Sequence, residues 1–222
     1  MSKMLSKVKT VLIDLSGTIH VESNEIPGAI DALNRKEEIF SSLMAAKELI
    51  QKLNLKPYLM LEEEAKEDFG DIECVNSEEE NGNGVVIGLS PKQFNYESMN
   101  IAFQMLLKGS QLIAINKSKY YKTSKGLRLG AGPFVSALEF ATGQTAQIVG
   151  KPNHQFFLQA LEPFDCRPED SVMIGDDVCD DIGGAQGLGM AGILVKTGKY
   201  RLGDENKINP LPHYVLPSFS EA

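Results

Sequence analysis

The first run of apolar positions along the chain is interrupted by a carboxylate. In the stretch KTVLIDLSGTIHV, residues 9–21, four apolar side chains predict a buried strand, and Asp14 stands among them. Ser-Gly-Thr follows at residues 16–18, which predicts that the strand ends in a tight turn. A carboxylate at the end of a buried strand needs a charged partner or a function, because an unpaired buried charge is costly.

Two helices are predicted between this strand and the next. Pro27 stands where a first helical turn tolerates proline, and apolar residues recur at helical spacing over residues 27–33. Residues 39–53 place their apolar side chains on one face, at spacings of three and four. We therefore expect no strand within residues 18–56.

From residue 57 onward, short apolar runs alternate with amphipathic stretches. Strict alternation of strand and helix implies an α/β fold whose parallel sheet is covered on both faces, and residues 39–130 form a candidate inserted domain. The segment 117–133 has the composition of a loop. The predicted strands are 57–61, 84–89, 111–116, 146–150, 171–175, 191–195 and 213–216, and the predicted helices are 94–107, 133–142, 154–161 and 180–188.

Composition narrows the function classes. The 222 residues carry a formal net charge of −8 without a run of basic residues, which argues against nucleic acid as a partner. The 3 cysteines lack the spacing of a disulfide framework or a zinc site, so a reducing, cytoplasmic location is expected. No stretch has the length and apolar character of a signal peptide or a membrane span, and we expect no membrane association.

Charged residues follow three of the predicted strands. The first strand ends at Asp14, the strand 146–150 is followed by Lys151, and the strand 171–175 is followed by Asp176 and Asp177. In open parallel sheets, ligands bind at the carboxyl ends of the strands. Taken singly, each of these residues is more simply explained as a solvent-exposed residue at the end of a strand. Carboxylates and an ammonium group at the same edge of the sheet together indicate a site for a divalent cation and phosphate.

Three motifs in this order resemble those of the haloacid dehalogenase-type (HAD) phosphohydrolases: VLIDLSGTI at 11–19, VGKP at 149–152 and MIGDDVCDDIGGA at 173–185. The resemblance covers nearly the whole chain. It implies a Rossmann-like parallel-sheet core, residues 1–38 and 131–222, with an inserted α/β cap of the larger (C2) type, residues 39–130. It also implies a Mg²⁺-dependent phosphatase that acts on a small phosphorylated molecule.

The resemblance assigns the metal site to named residues. Asp14, Asp176 and the backbone carbonyl of Ser16 would hold Mg²⁺. Asp181 would orient the lysine or a water on the metal, and Asp177 would likewise support the site without binding the metal.

It also assigns the residues that meet the substrate. Asp14 would attack phosphorus and form an aspartyl-phosphate, while Lys151 would neutralise charge between that carboxylate and the phosphate. Ser16, Gly17 and Thr18 would form the tight turn against the phosphate, with the backbone N–H groups of Gly17 and Thr18 directed at its oxygens.

Two departures from the family pattern weaken catalysis. Ser16 stands where most of these phosphatases have the aspartate that serves as general acid and base, and a hydroxyl cannot take that role. The family also places a strand ending in Ser or Thr within the region 18–56, and a lost hydrogen bond to phosphate costs about 1.5 to 3 kcal/mol. We therefore expect the chain to be a shortened form of a family member, without one strand and its following helix. The loss of that strand leaves one edge of the first strand unpaired, which predicts association with further copies of the chain.

Two other functions remain open on the sequence. A non-catalytic protein that binds metal or phosphate is favoured by Ser16 and by the missing strand, whereas the retained acidic and lysine motifs favour the enzyme. The glycine pattern GLGMAG at 187–192 would fit a nicotinamide-binding protein, but it follows a predicted helix and precedes a strand, the reverse of the order such a site requires.

Overall fold

The computed structural model describes residues 7–32 and 40–222, in which strands alternate with helices as the sequence predicts. The strands are β1 (Thr10–Ile13), β2 (His20–Val21), β3 (Asn24–Glu25), β4 (Pro57–Met60), β5 (Gly84–Ile87), β6 (Gln111–Ala114), β7 (Tyr120–Thr123), β8 (Gly126–Leu129), β9 (Gln147–Ile148), β10 (Ser171–Gly175), β11 (Ala191–Val195) and β12 (Tyr214–Leu216). The α-helices are α1 (Ala29–Ala32), α2 (Ser42–Lys52), α3 (Glu63–Lys66), α4 (Tyr96–Leu107), α5 (Gly132–Thr142), α6 (His154–Leu161) and α7 (Gly184–Gln186). Single 3₁₀ turns lie at Glu67–Phe69, Glu162–Phe164, Pro168–Asp170, Asp204–Asn206 and Phe219–Glu221, and a π-helical segment spans Val178–Gly183.

The chain divides into two compact units. The first contains the described parts of Met1–Ile39 together with Tyr121–Arg128 and Lys151–Ala222, and the second contains Phe40–Tyr120 and Leu129–Gly150. The segment 129–150, which the sequence analysis places mostly in the core, lies with the second unit. The predicted assignment of core and cap stays a prediction.

The first unit is built on a parallel sheet in the order β1-β10-β11-β12. Side chains that alternate along β10 and β11 pack on opposite faces of this sheet, because successive residues of a strand point to opposite sides. One face packs against the segment 19–29 and Phe219, and the other packs against α6 and α7. The predicted α/β class with a parallel sheet covered on both faces is confirmed here.

The second unit has its own parallel sheet, in the order β4-β5-β6-β9. The predicted strand 146–150 therefore belongs to a different sheet from β1 and β10, and the expectation that it delivers its lysine from the same sheet is wrong. A short apolar run shows that a segment is buried but not which neighbour it pairs with, so the sequence pattern could not separate the two sheets.

Two regions predicted to contain no strand contain short ones. β2 and β3 form an antiparallel pair directly after the 16–18 turn, so the expectation of no strand within 18–56 is wrong. β7 and β8 form a two-stranded sheet within the predicted loop 117–133. In the described residues of 18–56, however, no strand joins the sheet of the first unit.

β1 lies at one edge of its sheet. Among the described residues it pairs with β10 alone, and the side chain of Val11 is 47% exposed. An edge strand presents unpaired backbone groups to other chains. The association predicted from the sequence stays a prediction, which this exposed edge supports.

None of the helices in the described part of the chain has the length and apolar character needed to cross a membrane.

Candidate active site at the carboxyl ends of β1 and β10

Two aspartates lie side by side because their strands are neighbours. β1 and β10 run parallel with Ile13 opposite Ile174, and the backbone N–H of Asp14 donates to the Ile174 carbonyl at 2.9 Å. Asp176 follows β10 directly. Carboxylate oxygens of these two residues and of Asp181 all lie within 4.8 Å of one another. The predicted convergence of Asp14, Asp176 and Asp181 is what the structure shows.

The turn after β1 is closed by its own backbone. The Leu15 carbonyl accepts the N–H groups of Ile19 and His20, and the Gly17 N–H donates to the His20 carbonyl at 2.7 Å. Gly17 has φ +101°, and a Cβ there would overlap the Asp176 carboxylate. Because its N–H is already used, Gly17 does not offer that group to a phosphate as the sequence analysis expected.

The neighbouring turn residues differ in exposure. Ser16 is exposed, whereas Thr18 is fully buried and its hydroxyl has no hydrogen-bond partner within the described residues. The side chain of Thr18 is therefore held inside the turn rather than presented at its surface.

Asp181 is delivered by the π-helical segment rather than by the start of the predicted helix 180–188. The Asp177 carboxylate caps this segment and accepts the N–H groups of Cys179 and Asp180 at 2.7 and 2.8 Å. Asp181 lies beneath it, where its Oδ2 accepts the Asp177 N–H at 3.0 Å. Wide π turns are frequent at functional sites, and the apolar pattern of the sequence does not distinguish them from α-helix.

Lys151 lies between two carboxylates. Its ammonium group pairs with Asp14 and, at 2.7 Å, with Asp181. The lysine leaves β9 only three residues before α6, whose first turn is capped by Asn153. The structure thus brings the predicted lysine to the predicted aspartates, although the strand before it belongs to the other sheet.

The contacts of each carboxylate show which oxygens remain for a ligand. Both oxygens of Asp181 are engaged, by Lys151 and by a backbone N–H, and both oxygens of Asp177 are engaged, by two N–H groups and by Lys199 at 2.8 Å. Asp176 differs, because Oδ2 accepts the Lys199 N–H at 2.7 Å while Oδ1 is buried without a partner in the described residues. Asp14 is held through Oδ1. The oxygens left for a ligand belong to the two aspartates at the strand ends.

Burial and mutual repulsion shift the protonation of this cluster. Burial, together with the neighbouring carboxylates Asp181 and Asp14, raises the pKa of Asp176 to about 8. Burial also raises the pKa of Asp181, against the opposing effect of Lys151. Burial alone would lower the pKa of Lys151, but the carboxylates of Asp14 and Asp181 outweigh it and raise that pKa. Lys151 stays charged, while Asp176 gains a proton more readily than an ordinary aspartate.

This shift predicts how the stability of the metal-free protein depends on pH. Asp176 holds its proton in the folded state up to about pH 8 but releases it near 3.8 when unfolded, so the folded state binds more protons between these values. The free energy of unfolding should therefore fall as pH rises from 5 to 8, measured by urea denaturation with a chelator present. Asp176→Asn should flatten this slope, and an equal slope in both proteins would contradict the shift.

Sequence reasoning missed the loop that follows β11. Thr197, Gly198 and Lys199 all contact the turn after β1 or the aspartates after β10. They lie at the carboxyl end of the strand next to β10, so the rule that indicated Asp14 and Asp176 applies to them equally. The glycine pattern 187–192 follows α7 and runs into the first two residues of β11, which is the context of a helix-ending turn before a strand.

Comparison with known proteins relates this site to a family. A model of the family described as HAD-hydrolase-like matches residues 148–222. Haloacid dehalogenase-like hydrolase domain-containing protein 2 of Bos taurus is 45% identical over 97% of this chain and 94% of its own length. Phospholysine phosphohistidine inorganic pyrophosphate phosphatase of Xenopus laevis is 33% identical over 92% of this chain and 89% of its own length. The crystal structure of a 4-nitrophenylphosphatase from Thermotoga maritima superposes with a TM-score of 0.85 at 23% identity, covering 99% of this chain and 98% of that one.

The length of the alignment with the bovine relative supports the prediction that this chain is a shortened form. Its alignment spans 249 positions and so exceeds the 222 residues of this chain, which means that the relative contains segments without a counterpart here. The extent of the identity and the agreement of the fold confirm the resemblance that the three motifs indicate. The chain belongs to the haloacid dehalogenase-like hydrolases.

Proposed function

We propose that the protein is a Mg²⁺-dependent phosphatase that acts on a small phosphorylated molecule through an aspartyl-phosphate on Asp14. One observation carries this proposal: Asp14 and Asp176 keep carboxylate oxygens for a ligand while Lys151 stands beside the first of them. The phosphatase activity named for the relative from Xenopus laevis, at 33% identity, supports the reaction class.

The residues present fit a magnesium ion. A buried carboxylate oxygen without a partner, Oδ1 of Asp176, would be costly unless a cation or a proton satisfied it. The cluster holds four aspartates and two lysines, so its formal charge of −2 equals that of a divalent cation with opposite sign. Oxygen donors are the ligands that Mg²⁺ prefers. Asp14, Asp176 and the Ser16 carbonyl would hold the ion, and when bound it would neutralise charge on the phosphate.

The protein's own residues carry out the displacement of the leaving group from phosphorus. Asp14 attacks phosphorus with a carboxylate oxygen, and the bond from phosphorus to the leaving oxygen breaks as the aspartyl-phosphate forms, with the leaving oxygen taking its proton from water. Attack of water on the aspartyl-phosphate then releases inorganic phosphate and regenerates the Asp14 carboxylate. Lys151 orients Asp14 and neutralises charge that develops on the phosphoryl oxygens. Asp181 holds the lysine in place at 2.7 Å.

The hydroxyl of Ser16 does not titrate near neutral pH and cannot act as general base toward the water that hydrolyses the aspartyl-phosphate. For substrates whose leaving group needs no proton, release of the phosphoryl group from Asp14 should therefore be the slow step.

A non-catalytic protein that binds metal or phosphate is the second candidate. It is favoured by Ser16 and by the sheet of the first unit, in which no described strand pairs with the second edge of β1. Activity toward a panel of small phosphorylated compounds, with and without Mg²⁺, separates the two candidates, because only the phosphatase releases inorganic phosphate.

Magnesium should raise the melting temperature of the wild-type protein and have little effect on Asp176→Asn. Binding to the folded state alone stabilises it, by about 2.7 kcal/mol when free Mg²⁺ is 100 times the dissociation constant. Thermal denaturation with Mg²⁺ or with a chelator measures the shift.

The matched control is Asp165→Asn, which removes one carboxylate charge at an exposed residue outside the site. Asp165 has φ +46°, a conformation that asparagine also tolerates. This variant should show the full magnesium shift. A shift of the same size in Asp176→Asn would exclude Asp176 as a ligand.

A further inference from the structure

The segment Lys196–Tyr200, called here the 196–200 loop, follows β11 and contacts the turn after β1. Thr197 Oγ1 donates to the Gly17 carbonyl at 2.5 Å, in a partly buried position. Gly17 follows the residue whose carbonyl is a proposed metal ligand. The hydroxyl of Thr197 therefore fixes the backbone of the turn that carries part of the metal site.

Gly198 allows the loop to approach the metal ligands. Its φ is +54°, and a Cβ there would overlap both the Asp176 carboxylate and the Gly17 Cα. Gly17 meets the same carboxylate with no side chain of its own. The Asp176 carboxylate is thus close to the backbone of two glycines, at positions where a side chain would overlap it.

Lys199 contacts both aspartates of the motif after β10. Its backbone N–H donates to Oδ2 of Asp176 at 2.7 Å, and its ammonium group pairs with Oδ2 of Asp177 at 2.8 Å. The ion pair is largely buried, with side-chain exposures of 17% and 21%. Since Oδ2 of Asp176 is occupied by the loop, Oδ1 is the oxygen presented to a ligand.

We infer that the 196–200 loop is a positioning element for the metal site, in which Thr197 aligns the turn after β1 and Lys199 orients Asp176 and Asp177. None of its side chains touches the substrate or the ion in this proposal. The inference rests on the proposed function for the identity of the cation. Its effect should appear in metal affinity, because groups that orient metal ligands typically contribute 10- to 100-fold to binding.

The test is Mg²⁺ affinity, measured by calorimetry on the folded protein without substrate. Thr197→Val removes the hydroxyl at similar volume and should weaken Mg²⁺ binding by about 10-fold or more, whereas Thr197→Ser should restore it.

Lys199→Met keeps the backbone N–H that holds Asp176 but leaves the Asp177 carboxylate without its ion pair. Loss of a positive charge near the site would by itself strengthen cation binding, so weaker Mg²⁺ binding in this variant is the result expected if the ion pair of Lys199 orients the aspartates. Lys122→Met is the matched control, because it removes the same charge from an exposed residue outside the 196–200 loop.

The melting temperature of each metal-free variant shows whether the substituted residue positions the metal ligands or only stabilises the fold. A lower melting temperature with unchanged Mg²⁺ affinity for Thr197→Val would overturn the inference. Mg²⁺ binding by Lys199→Met that is no weaker than binding by the wild type or by Lys122→Met would also overturn it, as would a wild-type protein that does not bind Mg²⁺. If the wild type binds Mg²⁺ with the expected pattern but hydrolyses no phosphorylated compound, the inference stands and the proposed phosphatase function fails.

Discussion

Asp14→Asn should abolish phosphorylation of the protein and lower any phosphatase activity by about 10⁴-fold or more, the scale on which loss of a nucleophile acts. An amide is nearly the same size as a carboxylate, but it does not attack phosphorus. Beryllium fluoride, a stand-in for the phosphoryl group, should bind the wild type in the presence of Mg²⁺ and fail to bind this variant. Mass spectrometry after reaction with a phosphoryl donor should place the label on Asp14.

Asp165→Asn again provides the control, since it removes an exposed carboxylate outside the site. It should be labelled like the wild type. Because Ser16 cannot activate water, the label on the wild type should persist longer than one catalytic cycle of an ordinary phosphatase of the family. Label that remains in Asp14→Asn would remove Asp14 from the role of nucleophile.

Lys151→Met should destabilise the metal-free protein by about 3 kcal/mol, the scale for breaking a buried ion pair from one side. The lysine side chain is 21% exposed, and its two partners, Asp14 and Asp181, are 16% and 2% exposed. Removal of the ammonium group leaves the carboxylates of Asp14 and Asp181 close to each other without their shared partner. Urea denaturation at pH 7 with a chelator measures the loss.

A double variant identifies the cause of this loss. If the unpaired carboxylate is responsible, Lys151→Met combined with Asp181→Asn should lose much less stability than the sum of the single variants. Lys122→Met, at an exposed lysine, should change the free energy of unfolding by less than about 0.5 kcal/mol. Additive losses in the double variant would show that Lys151 and Asp181 do not interact energetically.

The sequence predicts the central strands of the first unit well, because their local pattern matches their surroundings. β10 and β11 are five-residue strands composed, apart from Ser171, of apolar residues and glycine, and both are almost entirely buried. Asp14 and Asp176 could be placed together because parallel strands carry their carboxyl ends to one edge. To apply this rule, one needs to know only which segments are strands of the parallel sheet, and not how their side chains pack.

The remaining elements depend on pairings that the local pattern does not encode. β9 has two residues, and only its hydrogen bonds to β6 place it in the second sheet. β2 and β3 are equally short and contain polar residues such as His20 and Asn24, so no alternation marks them as strands.

The 196–200 loop follows β11 at the same edge of the sheet, so the strand-end rule could have included it. Its contacts, from the Thr197 hydroxyl to the Gly17 carbonyl and from the Lys199 N–H to Asp176, could not be predicted from residue types.

The position of β1 affects how the site responds to heat. Within residues 7–32 and 40–222, β1 is hydrogen-bonded to one neighbouring strand, β10, and Asp14 follows it directly. β10 is hydrogen-bonded to a strand on each side. Local opening requires least free energy where backbone contacts are fewest. The carboxylate proposed as the nucleophile therefore follows a strand that can detach while β10, β11 and β12 stay paired, so loss of the proposed phosphatase activity on warming should precede the main unfolding transition.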